Sequence, residues 1–568
     1  MSGLPVFWAA SLFRIRHSRL YRARAKRLKN STDLFQHGVT MSPKINKKIA
    51  SIIIVLLAIA CVGGYFLWTK LGPSQPSVEQ TLIIGTTTSV DILDPATGGS
   101  WPTYMVSNLC FDTLLGLKTP ECVEVVPELA TEWTVSNDSK TFSFIIRQDV
   151  KFHDGTPLTA ESVKKSLEYV ITKAGPNSFF LDDISSIEVT STYQMRINLK
   201  NSDIGFLSKL AMNGLVFPIL NADAANAAGD QWGKSVLIGS GPFKFNESRE
   251  GERIVVVRND EYWGQKAKLD KIIISLFANS ATARMALESG EIDMFYRNPN
   301  PDDAIALKAN PIIETQSLPG SSRHLYFHLD VPPMDNVLLR KAIAYAINVT
   351  RVWQVGYKGE GTISYSMVPD YMVPYYKPTF AKYAYDPGKA TELLNEAGYP
   401  TGFSTKLYYT TNWSPMDIDA ALVIKDDLAK VGINVEIVME EYAVFSADLY
   451  NGVMPMDIDN WAPDYPSVDN VIMQAIHPDY GWDATAVNWY NARFVELGYL
   501  GKNTTDENAR KLIYDEAQDI MAEEVPVYPL VFRPGYVFYR SWVKGFVFYP
   551  MAHSDKISFV NTYIGPKE

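Results

Sequence analysis

The sequence predicts an α/β fold divided into lobes, preceded by an N-terminal transmembrane anchor or signal segment. Three observations predict it. Strand patterns alternate with helix patterns from Thr81 onward. The stretch from Ser404 to Glu440 spells a complete βαβ unit. The chain has 568 residues, 46% apolar and 20% charged, a globular composition too long for one simple core.

The leader comes first. Ile49 to Trp68 is a 20-residue apolar run, and a helix of that length spans a hydrocarbon core of ~30 Å. Residues 1–70 hold 12 Lys and Arg against the single acid Asp33, so the positive-inside rule places residues 1–48 in the cytoplasm and residues 70–568 outside. Two other readings stay open. Ala58-Ile59-Ala60 is a cleavage-like site inside the run, and Cys61 directly after it suits a lipidated start. Met41 also opens a complete basic-then-apolar leader. Residues 69–80, with Gly72-Pro73-Ser74-Gln75-Pro76, read as a tether. Beyond residue 70 stand 41 basic and 62 acidic residues, a balance that argues against nucleic-acid binding. Cys110 and Cys122 flank a short connection and read equally as a disulfide or as two small apolar residues.

In the body, Phe142, Phe144 and Ile146 alternate with Thr141, Ser143, Ile145 and Arg147, a half-buried strand. His153-Asp154-Gly155-Thr156-Pro157 is turn chemistry, and Thr159 is placed to cap a helix with Glu161 in its first turn. Farther on, Asp386 and Pro387 start a helix whose stripe is Ala390, Leu393, Leu394 and Ala397, and Gly398 stops it. Then come the strand at Lys406-Leu407-Tyr408-Tyr409, a helix from Asp417 to Lys430 spaced through Ile418, Leu422 and Leu428, and the strand Ile433 to Met439. A right-handed crossover joining a parallel pair follows.

Several strings occur in a telling order. They are Leu93-Asp94-Pro95, Val126-Pro127-Glu128-Leu129-Ala130, Pro127 to Val170, Gly239-Ser240-Gly241-Pro242-Phe243, Gly290-Glu291-Ile292-Asp293, Arg340 to Ile347, Asp386 to Lys389 and Trp461-Ala462-Pro463-Asp464-Tyr465. Each is weak alone. Together they resemble the large extracytoplasmic solute-binding proteins of the peptide/nickel class, the receptors of ABC importers. The resemblance implies a two-lobed periplasmic-binding-protein-like fold with an inserted subdomain. In this numbering the first lobe comprises 80–112, 236–320 and 532–568, the insert 113–235 and the second lobe 321–531. It implies a monomer that closes by a hinge on an oligopeptide and docks on permease subunits coupled to an ATPase, with no cofactor and no catalysis.

Enzyme and metal motifs fail on spacing. Gly229 to Ser235 reads GxxxGKS, one residue short of a phosphate loop. His324 and His328 lie in an alternating stretch with no further ligand at zinc spacing. The ligand constellation is Asp459-Asn460-Trp461-Ala462-Pro463-Asp464-Tyr465. An acid among aromatics is costly to bury unless paired, and a ligand ammonium suits it. In peptide-binding members the Asp of the W-x-x-D-Y motif holds the peptide α-amino group. Trp461, Asp464 and Tyr465 match that motif, so the resemblance implies that role for Asp464, with Asn460 and Trp413 as further cleft residues. The competing reading is that Asp464 caps a turn before Pro466. Ser467-Val468-Asp469 departs from the Asp-Pro of many members. An oligosaccharide ligand, a metal complex such as nickel, or a secreted hydrolase are the alternative functions.

Overall fold

The computed structural model describes residues 79–567 apart from 89, 91, 119–123, 176–177, 212–217, 297–298, 411–416, 462, 464–466, 475–486 and 549–558. The leader, the run Ile49–Trp68, Cys61 and Cys122 lie outside the described residues. Among the described residues no helix is long and apolar enough to cross a membrane. Cys110 is fully buried at the end of the helix Trp101–Cys110, its thiol unbridged.

Apolar residues gather into two large cores. One holds side chains from Leu82 to Tyr296 together with Val537 to Phe559. The other holds side chains from Leu325 to Val531. A single 11-stranded sheet runs through both. Its order is Asn434–Glu440, Ser404–Thr410, Met456–Trp461, Ile313–Phe327, Val527–Arg540, Met294–Tyr296, Thr81–Thr86, Lys271–Leu276, Arg253–Arg258 and Phe243–Arg249, with Thr362–Ile363 also paired to Val527–Arg540.

The two longest strands carry the chain from one core to the other. Ile313–Phe327 and Val527–Arg540 pair antiparallel, Ile313 opposite Arg540 through Pro319 opposite Pro534. The register then shifts, pairing resumes at Ser322 opposite Phe532, and after a second shift between Arg323 and His324 it runs to Tyr326 opposite Val527. Proline has no N–H to donate, so the ladder is interrupted on both strands where the chain passes between cores.

A separate antiparallel sheet of Ala130–Val135, Thr141–Ile146, Gln194–Leu199 and Ile184–Ser191 turns its buried face into the first core. Phe142, Phe144 and Ile146 are buried as the alternation predicts. Thr159 caps the helix Ala160–Lys173, its hydroxyl accepting from the Ser162 N–H at 3.3 Å while the Ser162 hydroxyl accepts from the Thr159 N–H at 3.2 Å. Asp386 likewise caps Pro387–Glu396 through the Lys389 N–H at 2.9 Å.

The βαβ unit forms, with Ser404–Thr410 parallel to Asn434–Glu440 around the helix Asp417–Ala429. The helix is rotated from the predicted stripe, which keeps Leu428 inside and Ile418 half-buried but turns Leu422 outward. Ala420, Ala421, Val423, Ile424 and Leu428 are buried, whereas Leu422 is 50% exposed. The neighbour explains it. A Cβ built on Gly356 comes within 2.7 Å of the Ala420 Cα, so the backbones approach too closely for a leucine between them.

Candidate functional site

The site grows out of two adjacent parallel strands. Ser404–Thr410 and Met456–Trp461 pair with Tyr408 opposite Asp457 and Tyr409 opposite Ile458, so both chains leave the sheet at the same end. In open α/β sheets ligands gather at the carboxyl ends of such strands. Ser322 sits opposite Trp461 at that end, beside the passage between the cores. The carboxyl edge and the crossing therefore coincide.

Of the residues read from the sequence, Asn460 and Trp461 fall in the described chain and are adjacent on this strand, both half-buried. Asp464, Tyr465 and Trp413 lie outside the described residues. The segments flanking residues 464–466 are fastened on both sides. Before it, the Ser322 hydroxyl donates to the Trp461 carbonyl at 3.1 Å. After it, the Arg510 guanidinium reaches Asp469 at 2.6 Å and the Ser467 hydroxyl at 3.0 Å. Asp469 is 1% exposed and is bound within its own lobe, so the Ser467-Val468-Asp469 departure serves loop anchoring.

Sequence reasoning missed the charged floor beside this edge. Arg323 Nε lies 3.4 Å from Asp417 Oδ1, with both side chains almost wholly buried. The Tyr357 hydroxyl donates to the same oxygen at 3.0 Å. Burial, then the Asp417 charge, raises the Tyr357 phenol well above its ordinary range. Burial, then the Arg323 charge, lowers Arg533, which Asp417 and Tyr357 partly offset. Asp459 is pushed upward by burial and by Asp457, against the stabilising Asn460 N–H and Arg323. Asp417 and Arg323 stand 94 positions apart, and a single helix turn or strand pattern carries no sign of their meeting. The one available signal was position, because Asp417 opens the helix that follows a parallel strand.

The two histidines take separate partners. His328 Nε2 meets Asp457 Oδ1 at 2.6 Å, and His324 Nε2 meets the Ser322 hydroxyl at 2.6 Å. Among the described residues no group of His, Cys, Asp or Glu is arranged to hold a metal ion. The GxxxGKS turn spends its amides locally, since Lys234, Ser235 and Val236 all donate to the Gln231 carbonyl. A phosphate cradle needs those N–H groups pointing outward.

With this geometry in place, comparison with known proteins is informative. The sequence profile of the bacterial extracellular solute-binding proteins, family 5 (middle region), matches residues 124–482. The dipeptide-binding protein of Escherichia coli is 28% identical over 514 residues, 84% of this chain and 94% of that protein. Heme-binding protein A of Haemophilus influenzae is 27% identical over 457 residues, 76% of this chain and 83% of that protein. The periplasmic binding protein DppA of Helicobacter pylori, solved with the peptide STSA, superposes with a TM-score of 0.74 at 28% identity, covering 86% of this chain and 98% of that one.

Proposed function

We propose that this chain, which belongs to the bacterial extracellular solute-binding proteins of family 5, captures an oligopeptide between its two lobes and delivers it to an ABC permease. The observation that carries the reading is the meeting of the Trp461 strand end with the two-strand crossing between the cores. A ligand seated there touches both lobes and is enclosed when they rotate about Pro319 and Pro534. The peptide-bound Helicobacter relative and the dipeptide-binding relative support the ligand class. The lobes follow the division 80–112, 236–320 and 532–568 against 321–531, with 113–235 inserted. The family's members are binding proteins, and the chain carries no chemistry of its own in this reading.

Asp464 is the proposed partner of the peptide ammonium, and Trp461, Tyr465, Asn460 and Trp413 are the other proposed ligand residues. Truncating one member of a buried, hydrogen-bonded charge pair costs about 2–5 kcal/mol, so Asp464→Ala lowers affinity by roughly 30-fold to several thousand-fold. Titration calorimetry with free and N-acetylated peptides checks it. Acetylation weakens binding to the wild type and barely changes binding to the variant. Equal wild-type affinity for both forms removes Asp464 from the role. Heme is the competing ligand, raised by the Haemophilus relative, and tight binding of heme with no peptide binding would transfer the chain to that class.

The run Ile49–Trp68 is the proposed anchor that keeps the lobes on the extracytoplasmic face. Protease added to intact cells then removes the body and spares the leader. A mature N-terminus at Cys61 would replace the anchor with a lipid.

A further inference from the structure

The inserted subdomain and the second lobe belong to different cores, Leu181, Ile187, Ile197 and Leu199 to one and Phe494 and Leu497 to the other. Among the described residues the ion pairs joining them are both made by Lys502. This lysine stands in the last turn of the helix Ala492–Asn503. Its ammonium lies 2.9 Å from Asp183 Oδ2 and 3.4 Å from Asp203 Oδ2.

The receiving site is built within the insert. Asp203 is fully buried, accepts from the Gly205 N–H at 2.9 Å and pairs with Lys209 at 2.8 Å. Asp183 takes the Asn201 amide at 3.0 Å on its other oxygen. Burial works against the Asp183 charge, yet the Lys502 ammonium holds the carboxyl below its usual range. Lys502 is only 6% exposed on its side chain. Two carboxylates and two ammoniums thus balance while the lobes are together. With Lys502 withdrawn, the insert keeps two carboxylates against Lys209 alone, and Lys502 returns to water.

We infer that Lys502 is a closure latch, an ammonium on the second lobe that seats between Asp183 and Asp203 of the insert when the lobes close, and so sets ligand affinity and residence time without touching the ligand. The inference rests on capture by lobe closure. A contact made in the closed state and lost in the open one shifts the equilibrium by its differential free energy. Every ligand that needs closure gains by it, whatever its side chains. Among the described residues the other cross-lobe ion pairs, Lys308 with Glu360 at 2.6 Å and Lys358 with Asp302, lie beside the crossing strands, where Thr362 pairs with Phe532. Rotation about a crossing separates groups next to it least, so those pairs discriminate less between open and closed.

The test uses the body of the protein with Lys502→Met, Lys502→Arg and the swapped pair Lys502→Asp with Asp183→Lys. Lobe separation is read by small-angle scattering, without ligand and with a pool of di- to tetrapeptides, and peptide affinity and release are read by calorimetry and stopped flow. Lys502→Met is expected to unfold at nearly the wild-type temperature without ligand, to shift toward a larger radius, and to bind about tenfold more weakly through faster release. Lys502→Arg and the swapped pair should recover most of the loss, which a merely structural lysine would not predict. Wild type and Lys502→Met with the same lobe separation in both conditions, and affinities within twofold, would overturn the latch. A wild type that binds no peptide in the pool sinks the peptide reading alone, and scattering of the ligand-free proteins still decides the latch.

Discussion

His324 shows how far a single residue's surroundings can move its chemistry. It is fully buried, its Nδ1 has no hydrogen-bond partner, and Arg323 is its neighbour in sequence. Burial, then the Arg323 charge, lowers its pKa to about 3. The unfolded chain binds that proton near pH 6.5, and the folded chain refuses it until far lower. Stability from this residue is therefore complete above pH 6.5 and is lost as the pH falls toward 3, at up to about 1.4 kcal/mol per pH unit. His324→Gln should flatten the fall in urea-measured stability between pH 6 and 4 by about that slope. An unchanged slope would mean that the ring is protonated in the native state. A metal site would require the opposite environment, with both His324 and His328 turned to a common point. Each instead faces its own partner, Ser322 and Asp457.

At the scale of the element, helix Glu507–Glu524 is tied to the candidate ligand loop through Arg510. Its side chain is 14% exposed, and its guanidinium pairs with Asp469 and lies 5.6 Å and 5.5 Å from the ring centres of Tyr375 and Tyr514. Arg510→Met would leave Asp469 buried without its guanidinium, a change that costs about 3–5 kcal/mol. Arg510→Met combined with Asp469→Leu should recover much of that loss, because both charges then leave together. Urea unfolding of the two single variants and the double variant checks this, and additive losses would show that the two side chains are uncoupled. The same helix marks where sequence reading stops. The strands at 141–146, 404–410 and 434–440, and the caps at Thr159 and Asp386, follow from patterns only a few residues long. The Arg510–Asp469 pair spans 41 residues, and the Arg323–Asp417 pair spans 94, so neither leaves a periodic trace. Leu422 misled for another reason. The spacing through Ile418, Leu422 and Leu428 puts Leu422 inside, but close packing on Gly356 turns Ala420 and Ala421 inward beside Ile424 and Leu428. The reading of the Trp461 to Tyr465 segment rests on its resemblance to a known motif, since composition alone makes aromatic cores and ligand walls look the same.

The described body, residues 79–567, is built on two large cores sharing two strands, and that connection governs how it unfolds. The residues of one core and those of the other form no common cluster. Their covalent link is the pair of strands whose ladder breaks at Pro319 and Pro534. Cooperativity between lobes then rests on the shared strands and on contacts across the cleft. A domain whose core is its own can open at its own free energy. Ligand changes this, because a bound solute that touches both lobes is lost when either one unfolds. At a hundred times its Kd it adds about 2.7 kcal/mol to the closed molecule. Calorimetry of the ligand-free body should therefore show two overlapping transitions, with a calorimetric enthalpy larger than the van't Hoff enthalpy. With saturating peptide the transitions should move up and merge, the less stable lobe moving further. One two-state transition in both conditions would show that the sheet alone makes the lobes a single cooperative unit, and would place the weak point of the molecule elsewhere than at the proline crossing.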